Sequence, residues 1–411
     1  MKRLFFMTLF ILFAHKAIGQ EFSKFTAEDF SRKKDYGYFN YIQFFLHRGI
    51  NTSRLSSMKT LFDRGYWGGT IRIGNQSCGR QEWQRLHNYP QYGLGVAYFN
   101  LGGERADSVI GAPASFFFFF SAPWARFGNY SVNTDLEIGL STDFKPYNPK
   151  TNPSQKVIGA STNLHFCLNL AINYQLAERW DLNLGFDLIH FSNGRISTPQ
   201  KGLDLLGVNI GTAYHFNPIK NYTRYVDPYY QPPVRPEFIV AEKPPFRPQH
   251  EIQLMTSLGI LQAEPGGWKN ELGQRDTTGA RGPRYLTSTV SIDYALRFAI
   301  KIKAVTGFDY FYDGSARNLY DNKLPQNTTF GDKSFYGYHI GFHYLIERFT
   351  FMFYYGRYLY KPFVQRGSWY MRTGGRLGLT EYLDLHIALK TRDGGIADWV
   401  EWGICYKMRI K

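Results

Sequence analysis

Apolar and polar side chains alternate with a period of two through nearly the whole of this 411-residue chain, and such alternation is the pattern of half-buried β-strands. Many of the alternating segments run for ten residues or more, which is about the length that a tilted strand needs to cross a bilayer. After the first twenty residues no stretch offers about 18 consecutive uncharged apolar residues, so the pattern excludes helical membrane spans. The candidate strands are 38–47, 65–75, 91–101, 112–122, 129–142, 161–176, 180–192, 203–216, 249–262, 284–298, 300–312, 334–346, 349–360, 367–379, 382–391 and 398–410.

The connections between these segments alternate in length as well. Tight turns are predicted at 177–179, 299, 347–348 and 380–381, and longer loops rich in Gly, Pro, Asn and Asp at 143–160, 263–283 and 313–333. Short turns on one side and long loops on the other are typical of outer-membrane barrels, and aromatic girdles would explain an aromatic content of 18%. On composition alone, an exported β-rich enzyme with an aromatic core is the alternative. We predict an all-β fold: a transmembrane antiparallel β-barrel of the outer-membrane type with roughly sixteen strands in total.

The N-terminus has the three parts of a secretory signal peptide. Lys2 and Arg3 are followed by an apolar run to about Ala14 and by a small-residue cleavage site that ends at Gly19. Residues 1–19 are therefore predicted to be removed on export.

A proline-rich segment divides the rest of the chain. Eight prolines between 217 and 248 predict a stiff periplasmic linker, which separates a first half that carries the candidate site, 20–216, from a second half, 249–411. The favoured interpretation is one barrel that this linker interrupts. The alternative is an eight-stranded barrel followed by a second β-unit.

The formal charge of +15 does not indicate a nucleic-acid partner, because no basic stretch is helical or carries a recognised nucleic-acid motif. Basic residues within strands, such as Arg72, Arg372 and Lys390, predict a polar, watery interior, and basic outer loops suit a surface rich in lipid phosphates. Neither the three cysteines nor the scattered histidines have the spacing of a metal or redox site, so no metal is predicted. Six histidines are expected to lie in the barrel interior: His47, His165, His215, His339, His343 and His386.

The end of one predicted hairpin combines three polar side chains on an otherwise apolar face. Alternation along 180–192 puts His190 and Ser192 on that face, and alternation along 203–216 puts Asp204 on the same face of the next strand. A hydroxyl needs a neighbouring base at neutral pH, so this trio has the composition of a nucleophile, a base and an orienting acid. If the apolar face contacts lipid, the trio is aimed at a lipid ester near the outer leaflet. The plain alternative is that these polar residues mark the point at which the strands reach water.

The surrounding residues carry a resemblance to a known family. The stretch from His190 to Gly194, followed by Pro199, Gly202 and Asp204, resembles the signature region of the outer-membrane lipid A 3-O-deacylases. Upstream, Phe144-Lys145-Pro146-Tyr147-Asn148-Pro149, Asn152-Pro153 and Ile158-Gly159 look like a motif of members described as acyloxyacyl hydrolases, particularly long ones from Bacteroidota. The resemblance covers about residues 90–216.

The resemblance implies a role for each site residue. Ser192 would be the nucleophile, His190 the general base and Asp204 the acid that orients the imidazole, while Asn193 and Gly194 would form the oxyanion hole. The family usually has Glu at the acid position, so Asp204 is one methylene shorter than the usual residue. The last 160 or so residues match no catalytic part of the family.

These observations lead to an expected function. The chain is expected to be an esterase of the Gram-negative outer membrane that removes an ester-linked acyl chain from lipid A of lipopolysaccharide, with no cofactor. The alternatives are a phospholipase-like acyl hydrolase that uses the same trio and a non-enzymatic, porin-like or structural barrel. The expected partners are lipid A in the outer leaflet and the membrane itself, without nucleic acid, and the oligomeric state stays open.

Overall fold

The computed structural model describes residues 38–52, 64–216, 234–239, 244–270, 272–319, 324–362, 367–393 and 395–410. The predicted signal peptide at 1–19 and most of the predicted linker at 217–248 lie outside the described residues.

The first half of the chain forms a closed barrel of eight antiparallel strands. Each strand pairs with the next along the chain, and the last strand returns to pair with the first, so that His215 lies opposite Tyr41. The strands are β1 (Phe39–Asn51), β2 (Tyr66–Gln76), β3 (Gln91–Asn100), β4 (Gly111–Phe127), β5 (Tyr130–Phe144), β6 (Asn163–Gln175), β7 (Trp180–Ser192) and β8 (Leu203–His215).

The second half closes in the same way into another barrel of eight strands. Its last strand pairs with its first, so that Ile410 lies opposite His250. The strands are β9 (Gln249–Gln262), β10 (Arg284–Ala299), β11 (Ile302–Asp313), β12 (Ser334–Ile346), β13 (Phe349–Tyr360), β14 (Trp369–Gly378), β15 (Leu383–Arg392) and β16 (Ile396–Ile410).

The antiparallel barrel class and the total of sixteen strands are therefore confirmed, but the favoured interpretation of a single barrel is wrong. The alternation of side chains indicates only which face of a strand is apolar. It does not indicate whether β8 hydrogen-bonds to β9 or back to β1. In the structure the free edge of β8 pairs with β1.

The described parts of the connections contain three short helices: α1 (Glu82–Leu86), α2 (Glu104–Val109) and α3 (Ala316–Leu319). Single 3₁₀ turns occur at Pro325–Asn327 and Gly331–Lys333. Within the described ranges, no helix has the length and apolar character needed to cross a membrane.

The outward face of the strands is apolar and exposed, whereas the inward face is filled. On β7, for example, Leu184 and Phe186 are exposed while their neighbours Asn183 and Asp187 are buried. An eight-stranded barrel has room for side chains and little else. The six histidines predicted to face inward are all buried, as expected.

The interior differs from the predicted watery one, because buried ion pairs occupy it. In the first barrel Arg72 donates to Asp135 over 2.9 Å and also to Glu137. In the second barrel Arg372 donates to Asp309 over 2.8 Å. The basic residues within the strands therefore neutralise buried carboxylates instead of lining a channel.

We call the barrel ends that carry the connections 145–162, 193–202 and 263–283 the loop ends, and the opposite ends the turn ends. The two barrels touch at both. At the turn ends, Nε2 of His87 lies 3.1 Å from the carbonyl oxygen of Leu345. At the loop ends, Tyr147 donates its hydroxyl to the carbonyl oxygen of Gly279 over 2.7 Å.

Candidate active site on the outward face of the first barrel

The register of β7 and β8 brings His190 and Asp204 directly opposite each other. His190 Nδ1 lies 2.6 Å from Asp204 Oδ1, a short hydrogen bond of the kind formed with a charged acceptor. The side chains are 32% and 49% exposed, respectively, so the pair is accessible from outside the barrel. The predicted approach of the carboxylate to the imidazole is present, and Asp204 is long enough for it because the two residues face each other across the ladder.

The apolar face below this pair is open. Leu184, Phe186 and Leu188 on β7 and Val208 and Ile210 on β8 are all exposed large hydrophobic residues. They form a continuous strip that ends at His190 and Asp204. An exposed apolar strip of this kind on an outer-membrane-type barrel is a surface suited to acyl chains.

Ser192 has the outward parity that the alternation predicts, but it is buried, with 5% of its surface exposed. Its Oγ accepts a hydrogen bond of 3.1 Å from the backbone N–H of Gly194. Among the described residues, none of the hydrogen bonds joins Ser192 to His190. The predicted contact between hydroxyl and imidazole is therefore absent from this conformation, because the chain turns away from the strand immediately after Ser192.

The loop that follows, residues 193–202, has an unusual backbone. Gly194 and Arg195 both have positive φ, at 60° and 71°, which is favourable only for glycine. The side-chain oxygen of Asn193 accepts from the N–H groups of Arg195 and Ser197 at 3.1 and 3.4 Å and holds this turn. Its Nδ2 is buried and forms no hydrogen bond within the described structure, so a donor is left unused beside Ser192.

Gly202 makes room for the imidazole. A Cβ atom at this position would lie 2.7 Å from His190 Cε1, and the φ of Gly202 is +71°. Both the space and the backbone conformation therefore require glycine. The sequence analysis included Gly202 in the family signature but did not recognise this contact.

The inward neighbours of the site form a packed apolar layer. Ile189 and Phe191 flank His190, Leu203 and Leu205 flank Asp204, and all four belong to one buried cluster. Phe191 makes edge-on ring contacts with aromatic side chains of other strands across the barrel interior, including Phe144 on β5. The strands that carry the histidine and the acid are thus held from behind by close packing.

The second barrel contacts the loop 193–202 directly. The backbone N–H of Gln262, at the end of β9, donates to the carbonyl oxygen of Arg195 over 2.9 Å, and the N–H of Thr198 donates to the side-chain oxygen of Gln262 over 3.0 Å. Burial lowers the pKa of the Arg195 guanidinium, which lies 4.0 Å from Asp398. No periodic signal in the sequence indicates these contacts, because they join residues more than sixty positions apart.

Three potential metal ligands, Asp293, Asp309 and His339, come together inside the second barrel. Arg372 Nη1 lies 2.8 Å from Asp309, and Arg376 Nη2 lies 3.6 Å from Asp293. The positive charge that a cation would supply is thus already supplied by guanidinium groups, and the cluster belongs to a buried ion-pair network.

The fold and the site define a class: an outer-membrane-type β-barrel protein with a hydrogen-bonded acid–histidine pair on its lipid-facing surface. The family model of the lipid A 3-O-deacylase (PagL) matches residues 69–213, and that of the acyloxyacyl hydrolase C-terminal domain matches residues 250–410. One model matches each half of the chain, so the resemblance to the lipid A 3-O-deacylase and acyloxyacyl hydrolase family that the motifs predicted is confirmed. The C-terminal match also gives the second half a family assignment, which the sequence analysis lacked.

Several solved structures are similar to parts of this chain. The outer membrane enzyme PagL is 15% identical, covers 41% of this chain and 97% of its own, and has a TM-score of 0.28. Neisserial surface protein A (NspA) is 10% identical, with coverage of 43% and 97% and a TM-score of 0.31. The siderophore receptor PirA from Acinetobacter baumannii is 9% identical, with coverage of 86% and 52% and a TM-score of 0.24. None of the curated protein sequences matches this chain.

Proposed function

We propose that this protein is an esterase of the Gram-negative outer membrane that hydrolyses an ester-linked acyl chain of lipid A. The observation that carries the proposal is the 2.6 Å bond between His190 and Asp204 at the top of an exposed apolar strip. The two family matches support the same substrate class. A signal peptide at residues 1–19 and exposure of the loop ends to the outer leaflet belong to this proposal.

The proposed mechanism begins with the acid–histidine pair. Asp204 accepts a hydrogen bond from the Nδ1–H of His190, which fixes the tautomer and leaves Nε2 unprotonated as a general base. Nε2 takes the proton of Ser192 as Oγ attacks the ester carbonyl carbon. This requires Ser192 to turn from Gly194 toward the imidazole, which is consistent with catalytic hydrogen bonds tightening only when substrate binds.

The attack moves negative charge onto the carbonyl oxygen of the substrate. The N–H of Gly194, released from Ser192 Oγ, and the unpaired Nδ2 of Asn193 are the donors proposed for that oxygen. The C–O bond of the ester then breaks, and His190 donates its proton to the departing alcohol oxygen of lipid A. Water hydrolyses the acyl-enzyme by the same route in reverse and releases the fatty acid, so the reaction requires no metal or organic cofactor.

The placement of the pair suits a membrane substrate. A lipid A molecule in the outer leaflet can lay its acyl chain along Leu184, Phe186 and Leu188 while its ester lies at the height of His190. A charged group facing lipid costs about 2–4 kcal/mol at the midplane but only about 0–1 kcal/mol near the interface. The charged pair therefore costs little at the depth in the membrane where the ester groups of lipid A lie.

Two alternatives follow from the same residues. A phospholipase-like hydrolase would use the same trio on a glycerophospholipid. A porin-like barrel would need an open lumen, and the buried ion pairs of Arg72 and Arg372 argue against one.

The test is mass spectrometry of lipid A after incubation with the detergent-folded protein, beside the Ser192→Ala and His190→Ala variants. We expect wild type to remove one acyl chain and both variants to leave lipid A intact. A parallel incubation with phospholipid vesicles separates the two enzymatic alternatives. Lipid A that stays intact with the folded wild-type protein would contradict the proposed substrate.

A further inference from the structure

We propose that the second barrel positions the nucleophile of the first, and that Gln262 is the positioning residue through which it acts. The proposal rests on the proposed function and assigns a role to residues 249–410. It concerns the segment 193–198, which we call the serine loop because it begins directly after Ser192.

Gln262 forms two hydrogen bonds with the serine loop. Its backbone N–H donates to the carbonyl oxygen of Arg195 over 2.9 Å, and its side-chain oxygen accepts the N–H of Thr198 over 3.0 Å. The amide group of Gln262 is itself held, because its Nε2 donates to the carbonyl oxygen of Gly282 in the same barrel over 2.9 Å. Gln262 is 8% exposed, so these bonds compete little with water.

Other residues of the second barrel complete the contact. The Thr198 hydroxyl donates to the carbonyl oxygen of Ala263 over 2.9 Å. A Cβ atom on Gly194 would lie 2.2 Å from a methyl carbon of Val400, so the Val400 side chain packs against the backbone next to Ser192. Arg195 is buried and faces Asp398, whose carboxylate is also bound by Lys390.

The first barrel holds the far side of the same region. The N–H of Lys201 donates to the carbonyl oxygen of Val157 over 3.0 Å, and Gly159 lies against the backbone of Thr198. The serine loop is therefore enclosed between the barrels. Since Gly194 donates to Ser192 Oγ and Asn193 sits between them, the orientation of the nucleophile and of both oxyanion donors depends on this enclosure.

The contact is local to the site. The lipid-facing strip below His190 stays exposed with both barrels present, so the second barrel holds the loop without covering the approach of an acyl chain. Two other contacts between the barrels do not touch the serine loop: the hydroxyl of Tyr147 on Gly279, and His87 on Leu345. Variants at these contacts therefore test whether the loss of any contact between the barrels affects the site, or only the loss of a contact with the serine loop.

The test compares four variants of the full chain folded in detergent. Gln262→Met has a similar volume and loses both polar atoms, Gln262→Glu keeps an acceptor for Thr198, Thr198→Val removes the bond to Ala263, and Tyr147→Phe removes one bond between the barrels elsewhere. The measurements are kcat and KM for acyl release, and amide hydrogen exchange of residues 193–198.

We expect Gln262→Met to lower kcat by about tenfold with KM nearly unchanged, since small misplacements of a reacting group have effects of this size or larger. The serine loop of this variant should exchange faster. Thr198→Val should shift both readouts in the same direction by less. Gln262→Glu keeps the acceptor for Thr198 but loses the donor to Gly282, so it should recover part of the loss. Tyr147→Phe should match wild type.

Unchanged exchange of the serine loop in Gln262→Met would overturn the proposal. Equal losses in Gln262→Met and Tyr147→Phe would also overturn it, because any contact between the barrels would then serve. A wild-type protein that releases no acyl chain would instead contradict the proposed function, and the exchange measurement would still decide whether the second barrel holds the loop.

Discussion

The two barrels share an arrangement of ion pairs in their interiors and differ at their loop ends. In each, a buried arginine bridges two carboxylates, and a buried histidine lies against one of those carboxylates. The first set is Arg72, Asp135, Glu137 and His165, and the second is Arg372, Asp309, Glu401 and His386. In either barrel, eight strands close around an interior that contains such a network of paired charges.

The difference lies in the last hairpin of each barrel. Behind the end of β7 the first barrel packs apolar side chains such as Phe191, and its outward face carries the pair of His190 and Asp204. At the matching end of β15 the second barrel buries the ion pair of Lys390 and Asp398, with Asp398 turned toward Arg195 of the other barrel. In our proposal the same fold is used once to present a site and once to support it, and function depends on a few residues at one hairpin end.

The largest expected effect separates two outward-facing histidines. His190→Ala removes the proposed base and should lower acyl release by about 10³–10⁴-fold, near the upper range for positioned proton transfer. His250→Ala, which removes an exposed histidine bonded to Tyr294 on the second barrel, should retain wild-type activity. Rates of fatty-acid release check both, and equal losses in the two variants would contradict a site confined to the first barrel.

A second prediction concerns the interior of the supporting barrel. Arg372→Met leaves Asp309 and Glu401 without their buried counter-charge and should lower the free energy of unfolding by about 3–5 kcal/mol. Arg357→Met removes an exposed arginine of the adjacent β13 and should change it by less than about 1 kcal/mol. Denaturant unfolding in detergent micelles measures both, and a small effect for Arg372 would show that the network is dispensable.

A third prediction sharpens the role of the loop end. Gly202→Ala puts a methyl group 2.7 Å from the position of His190 Cε1 and should lower kcat by about 10²-fold through displacement of the imidazole. Gly128→Ala also carries a positive φ but has open space around it, so it shares the backbone strain without the clash. If both variants lose activity equally, strain and not contact with His190 is the cause.

The smallest expected effect is a pH dependence at the turn ends, where His87 joins the two barrels. Burial lowers the pKa of His87 to about 4, below its unfolded value of about 6.5. The folded state therefore resists protonation, and the contribution of neutral His87, complete above about pH 6.5, is lost as pH falls toward 4. Between pH 8 and pH 5 the loss amounts to about 2 kcal/mol.

Thermal unfolding at several pH values measures this loss. The variant His87→Leu cannot be protonated at this position, so its stability should fall less than that of wild type over the same range. Parallel curves for the two proteins would show that His87 does not contribute.

Much of the fold was predictable, because the local alternation of apolar and polar residues indicates the length of each strand and which of its faces is apolar. The predicted limits of β7, β9, β12 and β13 agree with the structure, and the turns and long loops that were predicted lie between strands at or next to the expected positions. The connection 77–90 is an exception to the alternation, because it lies at the turn ends but is long and contains α1. Closure into two barrels was not predictable, since the partner of β8 depends on backbone hydrogen bonds that leave no periodic trace.

The candidate site divides in the same way. His190 and Asp204 followed from alternation because they lie within strands and face each other across the ladder. Ser192 is the last residue of β7, and its hydroxyl follows the conformation of the loop instead of the strand. Gln262 was missed because it approaches from the other barrel, and only the folded chain brings it to Thr198.

In our proposal Ser192 is the reactive residue of the first barrel, and the second barrel has no counterpart to it. Peptide mass spectrometry after labelling the folded wild-type protein with a long-chain fluorophosphonate, beside His190→Ala, tests this. We expect one adduct, on Ser192, formed much more slowly in His190→Ala. Absence of an adduct on Ser192, or labelling that does not depend on His190, would contradict it.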